Sequence, residues 1–439
     1  MQSNNFWGTP RPAGVRWGLV VRLVLAVLAT VGSIALAWTL LSPHRNARAA
    51  NVVSVPTTTH PWGEALDGAG HVYVAEPGCQ LFPVCGKPFP GVIGQYSTTD
   101  PTKNEVDFTE PANYSSPGFL ALDKSGNIWF TEPTTAAIGE LSPSKPAGQQ
   151  WHQWSTGSGS IPRDLTLDKN GNIWFTDPGT NSISFFNTTT HKATVNVLAN
   201  PGSDPWGILT DKNGNIWFGE SKKASLGELT PPTTGGQVTP NEYPITAGTF
   251  SHMLALDSAG KIWYSEAGAL ALGKFDPTTK KVVNDYPIAT SVCSPAPPCS
   301  SSVAGIAIDS KGRVWWDDQQ FNHVGFLTPS NSSVAAITVG TFPFDGLVVD
   351  SNNNVWVTEN SNSVLDEIPP SAVVQGTPTP TNTPSGSPTA TSSVTPTPTG
   401  SVTATPSPTG SVTPTPSPSP TTGNVPVNKT WYFAEGKVG

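Results

Sequence analysis

Seven acids recur at one place in a repeated pattern: Glu76, Glu132, Asp177, Glu220, Glu266, Asp318 and Glu359 each close a short apolar and aromatic run, as in Ile216-Trp217-Phe218-Gly219-Glu220. A ring of carboxylates at one level suits a hard cation, because Mg²⁺ and Ca²⁺ take oxygen ligands. It suits equally a set of structural caps, each accepting backbone N–H groups of a loop or bridging to the next unit. Recurrence in every unit favours caps, since a purely catalytic residue has no reason to be repeated; one or two of the seven could still hold a metal.

A second column varies, and variation is where function can sit. The residues that open the first run of each unit are Trp62, Gly118, Arg163, Trp206, His252, Ala304 and Asp345. His252 is the best single candidate for a general acid or base, because imidazole titrates near neutral pH. His60, beside Pro61 and Trp62, is a weaker one. Trp62 and Trp206, each in a Pro-Trp-Gly step, could stack on a sugar or another flat ligand, or plug a channel. Arg163 and Asp345 add charged ligand contacts in the same column. The Asp-x-Asn-Gly-Asn runs at Asp168 and Asp211 look like fragments of a calcium loop, but they lack the rest of a twelve-residue site and read as hairpin turns.

The elements that must position these residues follow from the repeat itself. Aligned on the Asp three residues before a Gly or its substitute, the copies begin at Asp67, Asp123, Asp168, Asp211, Asp257, Asp309 and Asp350, 41 to 56 residues apart. Two apolar runs joined by Asp-x-x-Gly make a β-hairpin. A third run (Leu226-Gly227-Leu229) and a fourth (Glu242-Tyr243-Pro244-Ile245) complete a four-stranded meander. Consecutive apolar residues such as Ile173-Trp174-Phe175 point to both faces of the pleat, so both faces of each small sheet must be covered. Sheets stacked around an axis meet that demand, and the fold class is all-β: a seven-bladed β-propeller. The last unit supplies three strands and stops at Ile368, while a spare strand, Val52 to Val55, precedes the first unit. That spare strand is expected to become the outer strand of blade seven. Trp129, Trp174, Trp217, Trp263, Trp315 and Trp356, with Tyr73 in the first unit, read as core. In this arrangement the varying column and the seven acids lie on one face of the disc, the usual ligand face.

The flanks differ from the propeller (51–368). Residues 1–50 read as a signal peptide or signal anchor: Arg11, Arg16 and Arg22 precede an apolar run from Leu23 to Leu41, and Ala47-Arg48-Ala49 offers a cleavage site. The expected location is secreted or at the cell surface, with residues 19–41 as the anchor if the leader is retained. Cys79 with Cys85 and Cys293 with Cys299 form two local pairs, each enclosing five residues, and read as disulfide staples, with a zinc site as the alternative. Residues 369–423 are a Pro/Thr/Ser-rich linker, a stalk that could carry glycans and reach on the order of 150 Å at about 3.1 Å per residue. Residues 424–439, with Trp431-Tyr432-Phe433, read as the expected start of a further, truncated β domain. A net charge of −8, with no basic stripe, P-loop or dinucleotide fingerprint, excludes nucleic acid as a partner.

The sequence Pro-x-Gly-Ile, then Asp-x-x-Gly-x-Ile-Trp-Phe, then a Gly-x-Leu strand, as in Pro205 to Leu229 and with variation in Pro117 to Leu141, resembles the virginiamycin B (streptogramin) lyase family and its NHL-like and gluconolactonase-like relatives. The resemblance covers roughly 52–368 and implies a Mg²⁺-dependent enzyme that opens a cyclic depsipeptide by elimination, using two histidines at the first-run position of the last two blades. Those positions hold Ala304 and Asp345 here, while the acids Asp318 and Glu359 match and His252 keeps a histidine one blade earlier. Two readings follow. The first is an exported, surface-displayed, monomeric propeller that binds a small molecule, glycan or surface protein on its channel face and touches a membrane only through its N-terminal segment. The alternative is a lyase or lactone hydrolase with Mg²⁺ or Ca²⁺ as cofactor, on a rearranged site of His252, Glu266, Asp318 and Glu359.

Overall fold

The computed structural model describes residues 51–78, 89–100, 104–111, 116–232, 237–246, 249–267, 269–288, 303–319, 322–340 and 343–373. The leader, all four cysteines, the stalk beyond Val373 and the C-terminal segment lie outside the described residues, and with them the readings made of those parts; Ala372 and Val373, at the start of the expected stalk, are buried against the core of the last blades. Among the described residues no helix is long and apolar enough to cross a membrane.

Seven four-stranded antiparallel sheets make the seven expected blades. Blade three is typical: Leu165–Leu167, Ile173–Asp177, Ser182–Asn187 and Lys192–Val197 pair in sequence order. Blade seven is assembled from both ends of the propeller. Pro343–Val349, Val355–Glu359 and Val364–Ile368 are joined by Val53–Pro56, with Val53 opposite Glu367 and Pro56 opposite Val364. The N-terminal strand therefore closes the ring as its sequence position requires, and the pairing covers Val364–Ile368 and leaves a short four-residue strand outermost.

Within a blade, one Asp performs two tasks that explain why Asp and Trp recur six residues apart. Asp168 Oδ1 accepts the N–H groups of Asn170 and Asn172 at 2.8 and 3.0 Å, which shapes the hairpin turn. Gly171 completes it at φ 79°, a conformation in which glycine is unstrained. The other oxygen accepts an indole N–H: Trp217 to Asp211 at 3.0 Å, Trp315 to Asp309 at 3.0 Å, Trp129 to Asp123 at 3.2 Å. A buried indole needs such an acceptor, so the runs that resemble calcium loops are turns that anchor the core. Trp174, Trp217, Trp263, Trp315 and Trp356 are each almost wholly buried between neighbouring sheets.

Between blades, a hydroxyl just before the repeated acid performs the corresponding task. Thr176 Oγ1 accepts the N–H of Asp164 at 3.1 Å and donates to the carbonyl of Trp206, in the next blade, at 2.7 Å. Thr131 reaches the carbonyl of Arg163, Ser265 that of Ala304 and Thr358 that of Trp62, all at 2.7 Å. Blades one, four and six place Ala75, Gly219 and Asp317 at this position. The Thr176→Val variant keeps the shape but removes both hydrogen bonds, so it should lose about 1–3 kcal/mol of unfolding free energy, whereas Thr176→Ser should lose much less. Urea unfolding of the two variants checks this.

Candidate functional site

In the first strands of blades four to seven the ladder shifts register at the channel end: between Pro205 and Ile208, Ser251 and Leu254, Val303 and Ile306, and Pro343 and Leu347. A bulge re-aims the side chain it carries, and Trp206, His252, Ala304 and Asp345 all sit within these irregularities. Asp345 is held at φ 37°, in the left-handed region unusual for a non-glycine residue.

Four residues of the varying column come together. The ring of Trp206 lies between two neighbours: the Arg163 guanidinium 3.5 Å from its centroid, and the His252 ring at 4.3 Å and 30°. His252 Nε2 lies 3.1 Å from Asp345 Oδ1, an oxygen that also accepts from Gln319 Nε2 at 3.1 Å. Blade five thus reaches blade seven across blade six, whose own residue in the varying column is only Ala304 and whose Gln319 steadies the Asp345 carboxylate. On its other side His252 Nδ1 lies 3.2 Å from the hydroxyl of Ser221. Asp204 holds Arg163 Nη1 and Lys222 Nζ, both at 3.2 Å, and its own φ of 52° is again left-handed. Because Arg163 and His252 occupy the two faces of Trp206, that ring is a structural member of the cluster and offers no open face to a flat ligand.

The remaining sequence candidates lie elsewhere. Trp62 packs with Phe119, ring centroids 5.9 Å apart, in an apolar cluster with Met253 at its edge. His60 contacts the carbonyl of Asn360 through Nδ1 at 2.7 Å, at an exposed seam. Glu359 accepts the N–H of Gly340 at 2.5 Å and the amide of Asn362 at 2.8 Å. Asp177 accepts the N–H of Ile161 at 2.8 Å, and Glu76 those of Thr58 and Thr59 at 2.6 and 2.9 Å. These three acids fasten the loop that leads into their own blade. Asp318 pairs in register with His323 on the third strand. Glu266 is raised to about 8 by burial and then by the charge of Asp285 on the outer strand. Glu266, Asp318 and Glu359 do not join His252, and among the described residues no group of three His, Cys, Asp or Glu side chains forms a metal-ligand set.

Three buried acids that the repeat pattern left unnoticed complete the electrostatics. Asp164 is pushed up to about 7 by burial, opposed by the N–H groups of Ile208 and Leu165. Glu64 is held well above the carboxylate range by burial and by Asp317. Asp317 itself is raised far by burial and then by Asp345; its Oδ1 accepts the N–H of Gly305 at 3.0 Å, while its Oδ2 is buried without a hydrogen-bond partner. It occupies the position held by a hydroxyl in four other blades, and in three of them, at Thr131, Thr176 and Ser265, that hydroxyl both accepts and donates. An ionised carboxylate can only accept. Read column by column, Asp317 among Thr and Ser, and Asp164 among Gly, Phe and Met, were the available signals.

These features define a seven-bladed β-propeller whose polar residues converge on the channel mouth. Residues 91–297 match the virginiamycin B lyase family. In structure the chain is similar to selenomethionine-substituted virginiamycin B lyase from Staphylococcus aureus, with a TM-score of 0.59 and 19% identity over 72% of this chain and 98% of that one. A streptogramin B lyase structure gives 0.59 and 20% over 74% and 97%. A catalytically inactive histidine-to-alanine variant of the Staphylococcus aureus enzyme with quinupristin gives 0.59 and 20% over 72% and 98%. No curated protein sequence matches significantly. The fold is virginiamycin B lyase-like.

The raised acids fix the sign of the pH dependence. Asp164 and Glu76 titrate at about 7, Glu266 at about 8 and Glu110 at about 9 in the folded chain, against about 4 when unfolded. The folded state holds extra protons across that interval. Stability should therefore be greatest near pH 4 to 5 and fall as pH rises towards about 9. Asp317→Thr, which restores the hydroxyl of the other blades and removes a buried acid, should raise stability by about 1–3 kcal/mol and make its fall with rising pH shallower. Thermal unfolding across pH checks both.

Proposed function

We propose that the protein is an exported propeller that binds a small cyclic ester, of the cyclic depsipeptide or lactone class, at the channel mouth, without the two-histidine elimination chemistry of the lyases. The observation that carries this reading is the His252–Asp345 contact across Ala304. The two positions at which the resemblance asks for histidines supply a methyl group and a carboxylate, and the carboxylate is engaged with His252. What remains is a preorganised polar rim. Arg163 is fixed by Trp206 and Asp204, and Gln319 and Asp345 are fixed by each other; groups held in this way bind at low ordering cost. The family match supports the ligand class. The apolar leader and the Pro/Thr/Ser-rich segment support display at the cell surface.

The test is titration of the full chain with quinupristin, with Mg²⁺ or with a chelator, following tryptophan fluorescence and the mass of the ligand. The expected result is a saturable fluorescence change that Arg163→Ala weakens at least tenfold, with no Mg²⁺-dependent ring-opened isomer. Mg²⁺-dependent opening without change of mass, lost in His252→Ala, would replace this reading with the lyase one. Absence of binding would remove the cyclic ester class.

A further inference from the structure

Ser221, His252 and Asp345 form a continuous line: Oγ to Nδ1 at 3.2 Å, then Nε2 to Oδ1 at 3.1 Å. We propose that this line is a nucleophilic relay in which Ser221 attacks the acyl carbon of a carboxylic ester and His252 is its general base. The proposal rests on the reading that an ester binds at this rim, and it adds a reaction to it.

The chemistry of the three groups sets the direction of the relay. An ionised carboxylate accepts hydrogen bonds and cannot donate them, so Asp345 selects the tautomer with the proton on Nε2. The lone pair is then on Nδ1, facing the Ser221 hydroxyl. This is the logic of the serine hydrolase triad with the two ring nitrogens exchanged. Gln319 steadies the carboxylate from the same oxygen. Trp206 against the ring at 4.3 Å restricts its rotation. Asp345 and Gln319 are positioning residues, and Ser221 and His252 are the catalytic ones. The backbone also fits the assignment. Asp345 and Asp204 are both left-handed, and the carbonyl of Asp204 accepts the N–H of Ser221 at 3.1 Å. That bond ties Ser221 to the backbone of the residue whose carboxylate gathers Arg163 and Lys222. Those two cations are the available stabilisers of a developing oxyanion.

Each step balances. As the bond from Ser221 Oγ to the acyl carbon forms, the hydroxyl proton passes to His252 Nδ1 and the carbonyl oxygen takes the negative charge. The bond from the acyl carbon to the alcohol oxygen then breaks, and that oxygen takes the proton from Nδ1. A water attacks the acyl-serine by the same route, giving the acid and returning a proton to Oγ. Ester plus water becomes acid plus alcohol, with no oxidant, reductant or metal. Hydrolysis of a ring ester adds one water to its mass, whereas elimination leaves the mass unchanged.

The experiment treats the full chain with an alkyl fluorophosphonate and maps the adduct, alongside p-nitrophenyl butyrate turnover. The expected results are a phosphonyl adduct on Ser221, turnover lost in Ser221→Ala, and labelling slowed by about 10²–10⁴-fold in His252→Gln. Asp345→Asn should slow labelling, because its amide can donate to Nε2 and select the wrong tautomer, and Asp345→Glu should restore it; a residue with only a packing role would not show that order. Quinupristin binding retained in Ser221→Ala would separate this chemistry from the binding reading. An adduct absent or on another residue, turnover unchanged in Ser221→Ala, or labelling indifferent to His252→Gln would overturn the relay.

Discussion

The hydroxyl that ties one blade to the next is the constraint on which the rest depends. Each sheet is too small to stand alone and must present its first strand to the channel at a fixed height. Thr131, Thr176, Ser265 and Thr358 set that height by holding the carbonyl of the following blade's channel-mouth residue at 2.7 Å. The side chains of Arg163, Trp206, Ala304 and Trp62 are therefore placed by a neighbour's backbone hydrogen bond. Blade four does without a hydroxyl: at Gly219 a Cβ would lie 2.7 Å from the carbonyl of His252, so the backbones approach directly. That close passage sets the height of the histidine around which the polar cluster assembles.

The channel mouth has an unusual balance of charge. Asp164, Asp317 and Asp345 lie close enough to influence one another, and Glu64 feels Asp317. Arg163 and His252 are the basic groups set against them. Arg163 is held below its usual range by burial, although Asp204 and Asp345 both oppose that shift. Burial raises Glu64, Asp164 and Asp317 alike, so these acids favour the protonated, uncharged form where counter-charges are few. A basic residue at position 317 would disturb the blade contact, and one on the open rim would not.

The architecture was legible in the sequence because it rests on repeated columns. The Asp of each turn and the Trp six residues on fix hairpin, register and core together, and the strand at Val53–Pro56 was implied by a unit one strand short. The channel column was legible as a set of positions, including Arg163, Trp206, His252 and Asp345. Their partners were not. Whether Trp206 faces a ligand or is covered on both sides depends on bulges that re-aim each first strand. Ser221 and Gln319 sit just beyond the second strands of blades four and six, where no periodicity singles them out. Asp317 was hidden for the opposite reason, standing beside the repeated acid Asp318 and reading as part of it.

Closure of the ring by Val53–Pro56 also decides how the propeller bears load. That strand runs antiparallel to Val364–Ile368, with Val53 opposite Glu367. The chain thus enters at the end of this strand pair where Ile368 exits, and Ala372 and Val373 pack against the core just beyond it. Tension applied through the two flanking segments would pull those neighbouring points apart and open the pair one rung at a time, starting from Val53. Such peeling loads few hydrogen bonds at any instant, unlike a shearing pull that loads the whole ladder together. Blade seven, which supplies Asp345, is thereby the mechanical weak point of the ring.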